Sequence, residues 1–315
     1  MDTKVLAEDN PDWLAEATDI VRSGSVVALA TETVYGLAGD ATNPSAVARI
    51  YAAKGRPSKN PLIVHVSGVD MATALGHVNE RALSLIGQHW PGPLTIVVPM
   101  KESSDLVPAV TAGRGSVALR QPRGALAKLI EHSKTALAAP SANASGHVSP
   151  TTAGHVLMDL QGEIPLIIDG GKTKFGVEST IVDLRHDTPA ILRPGAISAE
   201  ELGMEEHKPI TNDAAPDAPG MLASHYAPKA AVRLNVLADD LKSGETHLGF
   251  GDACRPGALN LSPGGDMVEA ATNLFGMLRS LDERGATAIA VAPIPSAGLG
   301  ATINDRLARA AAPRS

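Results

Sequence analysis

One stretch of the chain, residues 52–66, concentrates charge and carries a histidine; it reads AAKGRPSKNPLIVHV. Its cations are Lys54, Arg56 and Lys59, and His65 follows in an apolar run. The planar guanidinium of arginine and the ammonium of lysine can both neutralise phosphate or carboxylate oxygens. Taken alone, a basic loop is usually solvated surface, and a histidine in an apolar strand is by default a core residue. The pattern therefore favours an anion site only if other loops supply matching groups.

Several other polar residues stand on separate loops in the same half of the chain. Arg120 closes an apolar strand, where a cation usually needs a partner or a ligand. Glu178 could be that partner, or it could simply begin a strand. Ser141 and Asn143 could bind a phosphate or a sugar, or form an ordinary turn. Arg193 precedes a Pro-Gly turn and is ambiguous by itself.

Composition excludes several classes of function. The chain has 315 residues and a net charge of −7, from 27 cations and 34 anions, and aromatic residues make up only 3%. That balance argues against a sequence-independent coat on nucleic acid, although it permits a local basic cleft. A single cysteine, Cys254, allows neither an intramolecular disulfide nor a cysteine-based zinc site. The sequence also lacks HExxH, Gly-x-Ser-x-Gly and a phosphate-binding GxxxxGK[ST] loop.

The elements that must position these residues are strands and helices in alternation, with some strands in helix-free pairs. This order predicts one α/β domain with a mixed sheet, in which ligands bind at strand ends. Helices are predicted to begin at Asn10-Pro11 and Asn43-Pro44, and residues 31–37 are polar at first and then tight. The predicted strands are 26–30, 61–66, 94–99, 116–120, 136–139, 165–168, 180–184 and 190–192.

The last third of the chain differs in composition. Residues 203–230 are rich in proline, alanine and charge, which predicts a linker between domains 1–202 and 231–315. The second domain is predicted to be a smaller α/β unit. Its strands are 232–237, 246–250 and 288–292, and its helices are 268–284 and 304–311. The two glycines of Gly298-Leu299-Gly300 are not followed by the third glycine of a dinucleotide-binding fingerprint, so this segment is interpreted as a tight turn.

Together these segments resemble the YrdC-type threonylcarbamoyl-AMP synthases. The resemblance rests on TETVYGL (31–37), KGRPSKNPLIVHV (54–66), SVALRQP (116–122), APSANASG (139–146), SPT (149–151), GVESTIVDL (176–184) and LRPG (192–195). HYAPK (225–229), LFGMLRSLDERG and GLGATINDRLARAA resemble the long, two-domain members. This implies a YrdC-like twisted mixed-sheet domain followed by a smaller Rossmann-like α/β domain.

The resemblance also implies an activity. The enzyme would be a nucleotidyltransferase that converts ATP, L-threonine and bicarbonate to L-threonylcarbamoyladenylate and pyrophosphate, the first step towards N6-threonylcarbamoyladenosine (t6A37) in tRNA. Mg²⁺ is expected with the triphosphate and no tightly bound metal. A separate threonylcarbamoyl transferase complex would use the product, with tRNA as a transient partner. The acidic, polar N-terminus and the lack of a membrane-length apolar run favour a cytoplasmic protein.

By position in the motifs, the resemblance implies two groups of site residues. Those expected to hold threonine are Thr33, His65, Arg120, Ser179 and the backbone at Ala139. Those expected at ATP are Lys54, Arg56, Asn60, Ser116, Ser141, Asn143, Ser149, Arg193 and Tyr226. Lys54 and Arg56 are expected to act directly in catalysis. Tyr226 would reach back from the linker, making the linker a cover over the site.

Two other classes of function remain open. One is a non-catalytic RNA-binding domain of similar fold, which the acidic charge and few aromatic residues disfavour. The other is a carbamoyl-transferring maturation enzyme with a related domain. Such enzymes add cysteine zinc modules, which a single cysteine cannot form.

Overall fold

A computed structural model describes residues 2–205 and 225–313 of the chain. Within these residues the strands form two sheets, one of ten strands and one of four. The predicted linker, 203–230, lies mostly outside the described residues, and the domain boundaries stay a prediction. No helix in the described ranges has the length and apolar character to span a membrane.

The larger sheet is mixed, as predicted. Its order is β1-β8-β2-β3-β7-β4-β6-β5-β9-β10, with parallel pairs such as β4/β6 and antiparallel pairs such as β5/β6. Its strands are β1 (Lys4–Ala7), β2 (Val27–Ala30), β3 (Tyr35–Asp40), β4 (Ile63–His65), β5 (Leu94–Pro99), β6 (Ser116–Arg120), β7 (Leu137–Ala138), β8 (Leu166–Asp169), β9 (Thr180–Asp183) and β10 (Ala190–Arg193).

Helices cover this sheet. They are α1 (Trp13–Arg22), α2 (Pro44–Lys54), α3 (Val69–Leu75), α4 (Glu80–His89), α5 (Ala125–Ser133) and α6 (Ala153–Leu160). Within β2, Ala28 and Ala30 belong to one hydrophobic cluster, whereas Val27 and Leu29 belong to another. Both faces of this strand are therefore buried, which explains its continuous apolar sequence.

The start and end of α2 are readable from the sequence, and they set the position of the cationic loop. The side chain of Asn43 accepts hydrogen bonds from the backbone of Ser45 and Ala46, and Pro44 occupies the first turn. Gly55, at φ +58°, ends the helix in a left-handed conformation that favours glycine. The chain then turns back toward the sheet directly after Lys54.

One sequence prediction at the beginning of the chain is wrong. Asn10 does not cap α1; its side chain accepts from the backbone of Asp12 in a preceding turn, and the helix begins at Trp13. Within residues 31–37, the polar turn ends before Tyr35, which begins β3, and β3 pairs antiparallel with β2. The turn itself is local: the Thr31 hydroxyl accepts from the backbone of Thr33 and Val34.

The smaller sheet is parallel throughout, with the order β11-β14-β12-β13. It comprises β11 (Ala231–Arg233), β12 (Glu245–Gly249), β13 (Leu259–Asn260) and β14 (Ala288–Val291), with α7 (Met267–Glu283) and α8 (Leu299–Ala311). This is the Rossmann-like α/β unit that the resemblance implied. The first strand is shorter than predicted, and the last helix begins five residues earlier than predicted, at Leu299 instead of residue 304. Gly300 therefore lies inside α8 instead of in a turn.

Candidate active site

Several of the predicted site residues line one cavity beside the larger sheet. His65 and Arg120 end β4 and β6, and the parallel pairing of these strands places them side by side. Ser179 directly precedes β9, and Arg193 ends β10. A cavity of about 50 Å³ opens among them. Its lining comprises Val34, Arg56, Ile63, His65, Arg120, Ala139, Pro140, Ser141, Glu178, Ser179, Arg193, His225 and Tyr226.

Arg120 is held in place by the loop before β3. Its Nη2 donates to Glu32 Oε1 at 2.7 Å and to Thr33 Oγ1 at 3.0 Å, and its Nε donates to the carbonyl of Gly92 at 3.2 Å. Glu178, which the sequence offered as a partner, is not the one that pairs with it. The other oxygen of Glu32 accepts from the backbone N–H of Arg123, so the carboxylate itself is fixed. This arrangement orients one guanidinium toward the cavity.

His65 is buried beside Arg120, and its Nδ1 has no hydrogen-bond partner among the described residues. Burial, and then the charge of Arg120, hold the pKa of His65 well below its usual range. The imidazole is therefore neutral near pH 7 and able to bind a substrate without adding charge.

Ser179 lies where two strands come very close. Its hydroxyl is 2.8 Å from that of Thr95, and Arg193 Nη2 donates to its carbonyl at 2.8 Å and its hydroxyl at 3.1 Å. A Cβ at Gly195 would lie 2.3 Å from the carbonyl carbon of Ser179. Only glycine allows this approach, which brings the Arg193 guanidinium onto Ser179.

Lys54 points at the segment after β7, which we call the 141–149 loop. Its Nζ donates to the carbonyls of Ser141 at 2.6 Å and Asn143 at 2.5 Å, and its own carbonyl accepts from Ser145 N at 2.8 Å. Burial, and then the nearby charge of Arg56, lower the pKa of Lys54 well below its usual range. In this structure Lys54 shapes the loop and does not line the cavity.

Arg56, in contrast, lines the cavity. It donates to the carbonyls of Asn60 at 3.2 Å and Pro61 at 2.8 Å, and no carboxylate within the described ranges forms an ion pair with it. Burial lowers its pKa to about 10. In the part of the chain that the structure describes, neither the nitrogen nor the oxygen of the buried Asn60 side-chain amide has a hydrogen-bond partner. A buried cation without a counter-ion is unfavourable, so this corner is suited to an anionic ligand.

The 141–149 loop presents three of the residues expected at ATP. The backbone of Ser141 forms an isolated antiparallel β-bridge with that of Gly36, and Ser141 also lines the cavity. Asn143 donates to the carbonyls of Ala144 and His147, and its buried Oδ1 has no partner within residues 2–205 and 225–313. Ser149 instead donates to another part of the site, Glu178 Oε1, at 2.5 Å.

Two residues of the HYAPK segment, His225 and Tyr226, reach the cavity. Tyr226 is 1% exposed and adopts φ +61°, a left-handed conformation that a non-glycine residue rarely takes. Its ring stacks on Phe275 at 5.5 Å, and Ala227 N donates to the carbonyl of Gly146 at 2.9 Å. The segment is thus attached to both the second unit and the 141–149 loop.

Some expected residues lie elsewhere. Ser116 begins β6 and Arg120 ends it, so roughly 13 Å of strand separates these two residues, and Ser116 is not among the residues that line the cavity. Thr33 accepts a hydrogen bond from Arg120 but does not itself line the cavity. Sequence reasoning missed Glu32 and His225, although each lies inside a quoted motif. An acid between two threonines directly after a buried strand was the available signal for Glu32.

The chemistry that this arrangement can perform follows from its charges. Three buried arginines, Arg56, Arg120 and Arg193, border one cavity with a single carboxylate, Glu178. Such a site can hold two anions close together and reduce their repulsion. No group of three His, Cys, Asp or Glu side chains suited to a metal ion occurs in the described part of the chain.

Comparison with known proteins relates this site to a family. Residues 19–195 match the family model Sua5_yciO_yrdC, described as "Telomere recombination", and residues 190–312 match "Threonylcarbamoyl-AMP synthase, C-terminal domain". The Bacillus subtilis (strain 168) protein named threonylcarbamoyl-AMP synthase is 38% identical and covers 99% of this chain and 96% of its own length. The protein of that name from Pyrococcus abyssi is 40% identical, and the match covers 93% of this chain and 92% of the P. abyssi protein.

A solved structure extends the likeness to the whole fold. The crystal structure of P. abyssi Sua5 complexed with L-threonine has a TM-score of 0.89 and 37% identity, and it covers 99% of this chain and 98% of that one. Both sheets are therefore shared with that protein, in the same arrangement. This chain belongs to the Sua5/YciO/YrdC family, in the form that also carries the threonylcarbamoyl-AMP synthase C-terminal domain.

Proposed function

We propose that this chain is a threonylcarbamoyl-AMP synthase, which makes L-threonylcarbamoyladenylate and pyrophosphate from ATP, L-threonine and bicarbonate. Its relatives of 38–40% identity carry that name, and the P. abyssi structure contains L-threonine. The observation in the site that carries the proposal is the set of buried arginines around one cavity beside a neutral histidine.

The reaction consists of two steps. The threonine amine attacks the carbon of bicarbonate, and loss of water gives an N-carboxylated threonine. An oxygen of the new carboxylate then attacks the α-phosphorus of ATP, the bond to the bridging oxygen breaks, and pyrophosphate leaves with that electron pair. Both partners of the second step are anions, so the protein must screen charge and align them, and it needs no nucleophile of its own.

The threonine half would be formed by Thr33, His65, Arg120, Ser179 and the backbone at Ala139. Arg120, oriented by Glu32, would receive the carboxylate of the amino acid, since guanidinium and carboxylate match in geometry. Because His65 is neutral, it would contact the substrate without attracting a second anion into the threonine half of the site.

The ATP half would be formed by Arg56, Arg193, the 141–149 loop and Tyr226, with Lys54 and Asn60 supporting them. Arg56 would pair with the triphosphate, because that corner lacks a carboxylate within the described ranges. Ser116 would have to contact a distal part of the nucleotide, because it does not line the cavity. The HYAPK segment over the cavity would shield the mixed anhydride from water.

Mg²⁺ would accompany ATP as part of the substrate. Hard oxygen ligands suit this ion, and the triphosphate supplies them, whereas the lining of the cavity contributes three arginines and only one carboxylate, Glu178. The product is a reactive mixed anhydride, so a group-transfer enzyme must consume it. A threonylcarbamoyl transferase complex acting on tRNA in the cytoplasm would fill that role.

Pyrophosphate release tests the proposal. It should occur with ATP, threonine and bicarbonate present, and it should fall to background when either threonine or bicarbonate is left out. Release that does not require both would overturn the proposal. Salt-sensitive RNA binding without threonine-dependent release would favour the RNA-binding alternative instead.

A further inference from the structure

Two buried arginines of the smaller unit form ion pairs with carboxylates of the larger one. Arg306 on α8 donates from Nε to Glu178 Oε2 at 2.9 Å. Arg279 on α7 donates from Nη2 to Asp159 Oδ2 at 2.8 Å. All four side chains are less than a tenth exposed, so neither pair is screened by water.

The contacts of Arg306 lead directly to the cavity. The other oxygen of Glu178 accepts from the Ser149 hydroxyl at 2.5 Å, and the Arg306 guanidinium lies 4.8 Å over the ring of Tyr226. Its Nη2 donates to the carbonyl of Pro194 at 2.8 Å. Burial alone would raise the pKa of Glu178, but Arg306 and the neighbouring arginine outweigh this and hold it below its ordinary value. Arg306 thus contacts an ionised carboxylate, a ring of the HYAPK segment and the turn after β10 at once.

The contacts of Arg279 lead to the 141–149 loop. Its partner Asp159 also accepts from the backbone N–H of Ala144 at 3.3 Å. The Nη2 of Arg279 itself donates to the carbonyl of Val148. One buried ion pair therefore fixes the loop at two points, four residues apart, on either side of its turn.

We propose that Arg306 and Arg279 are positioning residues for the ATP half of the site. Arg279 fixes the path of the 141–149 loop, and Arg306 fixes the positions of the side chains of Glu178, Ser149 and Tyr226. The smaller unit thus determines the geometry of nucleotide binding, besides anchoring the linker. This inference rests on the proposed function, which assigns the loop, Ser149 and Tyr226 to ATP.

A purely adhesive role would look different. Other contacts already join the two units, among them Thr302 Oγ1 to the carbonyl of Gly195 at 2.9 Å and Lys172 Nζ to Asn273 Oδ1 at 2.9 Å. An adhesive pair would alter the unfolding temperature and leave ligand affinity unchanged. A positioning pair must alter the affinity for ATP more than that for threonine, because the atoms it fixes lie on the ATP side.

The test uses the full chain and calorimetric binding of a non-hydrolysable ATP analogue and, separately, of threonine. Arg306→Gln and Arg279→Gln should each weaken binding of the analogue by at least about tenfold, since each removes the arginine partner of a buried carboxylate. Threonine affinity should change by less than about threefold. The control is Arg233→Gln, which removes an arginine–glutamate pair of 2.6 Å within the smaller unit and should change neither affinity.

Arg306 and Glu178 also form a double-mutant cycle. Because both act through one pair, Arg306→Gln combined with Glu178→Gln should bind the analogue no more weakly than the worse single variant. Additive losses would show that Arg306 does not act through Glu178, and they would overturn that half of the inference. Unchanged analogue binding in both arginine variants, or equal weakening of both ligands, would overturn all of it.

If the glutamine variants do not fold, a more conservative variant still tests the inference. Arg306→Lys keeps the charge but cannot bridge Glu178 and Pro194 at once, so it should raise the KM for ATP several-fold, and an unchanged KM would contradict the inference. Failure of the proposed function is distinguishable. It would appear as a wild-type chain without threonine-dependent pyrophosphate release, whereas failure of this inference requires an active wild type.

Discussion

The guanidinium of Arg120 lies 2.7 Å from the carboxylate of Glu32, and both side chains are almost completely buried. The two residues come from different strand ends, 88 positions apart in the chain. A buried pair of this kind gains little net stability, because desolvation offsets the attraction between the charges. Its value here is orientation: Glu32 fixes the arginine that would receive the carboxylate of threonine.

The first prediction concerns Glu32→Gln. The amide cannot satisfy both Arg120 and the backbone of Arg123, so the guanidinium should lose its fixed orientation. We expect the KM for threonine to rise by about tenfold or more and the KM for ATP to change far less. Steady-state kinetics with each substrate varied would measure this. The matched control is Glu16→Gln, whose partner Lys4 is exposed, and an unaltered KM for threonine would refute the assignment.

The second prediction concerns Arg56→Ala. Removing a buried guanidinium that would bind the triphosphate should lower kcat/KM for ATP by roughly 10- to 150-fold, the range for a hydrogen bond to a charged group. Lys128→Ala, which removes an exposed pair with Glu8, should leave kinetics unchanged. Unchanged turnover in the Arg56 variant would place the nucleotide elsewhere.

The third prediction concerns stability at low pH. Burial, despite the nearby charge of Glu178, lowers the pKa of His225 from 6.5 to about 3. The unfolded chain then takes up a proton at a higher pH than the folded chain does. Stability from this residue is complete above pH 6.5 and is lost as pH falls toward 3.

Urea unfolding should therefore give a lower free energy of unfolding at about pH 5 than at about pH 8. His225→Gln should reduce that difference, because glutamine does not titrate. The exposed His186→Gln serves as the control and should retain it. An identical pH dependence in the His225 variant would show that this imidazole is not held neutral by the fold.

The fourth prediction concerns proton uptake. Burial and Arg56 lower the pKa of Lys54 well below its usual range, and a triphosphate nearby would raise it again. At a pH at which Lys54 is partly deprotonated in the free protein, binding of the ATP analogue should therefore draw protons from the buffer. Calorimetry in two buffers of different ionisation enthalpy would detect this uptake, and Lys54→Met should abolish it. Binding heats that do not depend on the buffer in the unaltered chain would contradict the expected link between Lys54 and the nucleotide.

Much of the fold could be predicted because its signals are local. Asn43-Pro44 begins α2 through a side-chain cap, and the apolar run of β2 is buried on both faces. The prediction that a helix begins at Asn10-Pro11 failed because the same residue types also form a turn, and only packing distinguishes a turn from a helix start. The edge strand β1 gave no signal, because its residues are mostly exposed.

The sequence indicates a set of candidate site residues but not their geometry. His65 and Arg120 are neighbours through strand register, which depends on pairing across 55 positions and not on local sequence. Lys54 turns inward to two backbone carbonyls, a contact that residue type does not indicate. The left-handed backbone of Tyr226 likewise follows from tertiary contacts, among them those with Phe275 and Arg306.

The central claim is that one site joins carbon from bicarbonate, the nitrogen of threonine and the adenylyl group of ATP. Mass spectrometry of the product formed from isotopically labelled bicarbonate tests this most directly. The account predicts a threonylcarbamoyladenylate that carries the label in its carbamoyl carbon, formed together with pyrophosphate. An adenylylated threonine without the label, or no adenylate at all, would contradict it.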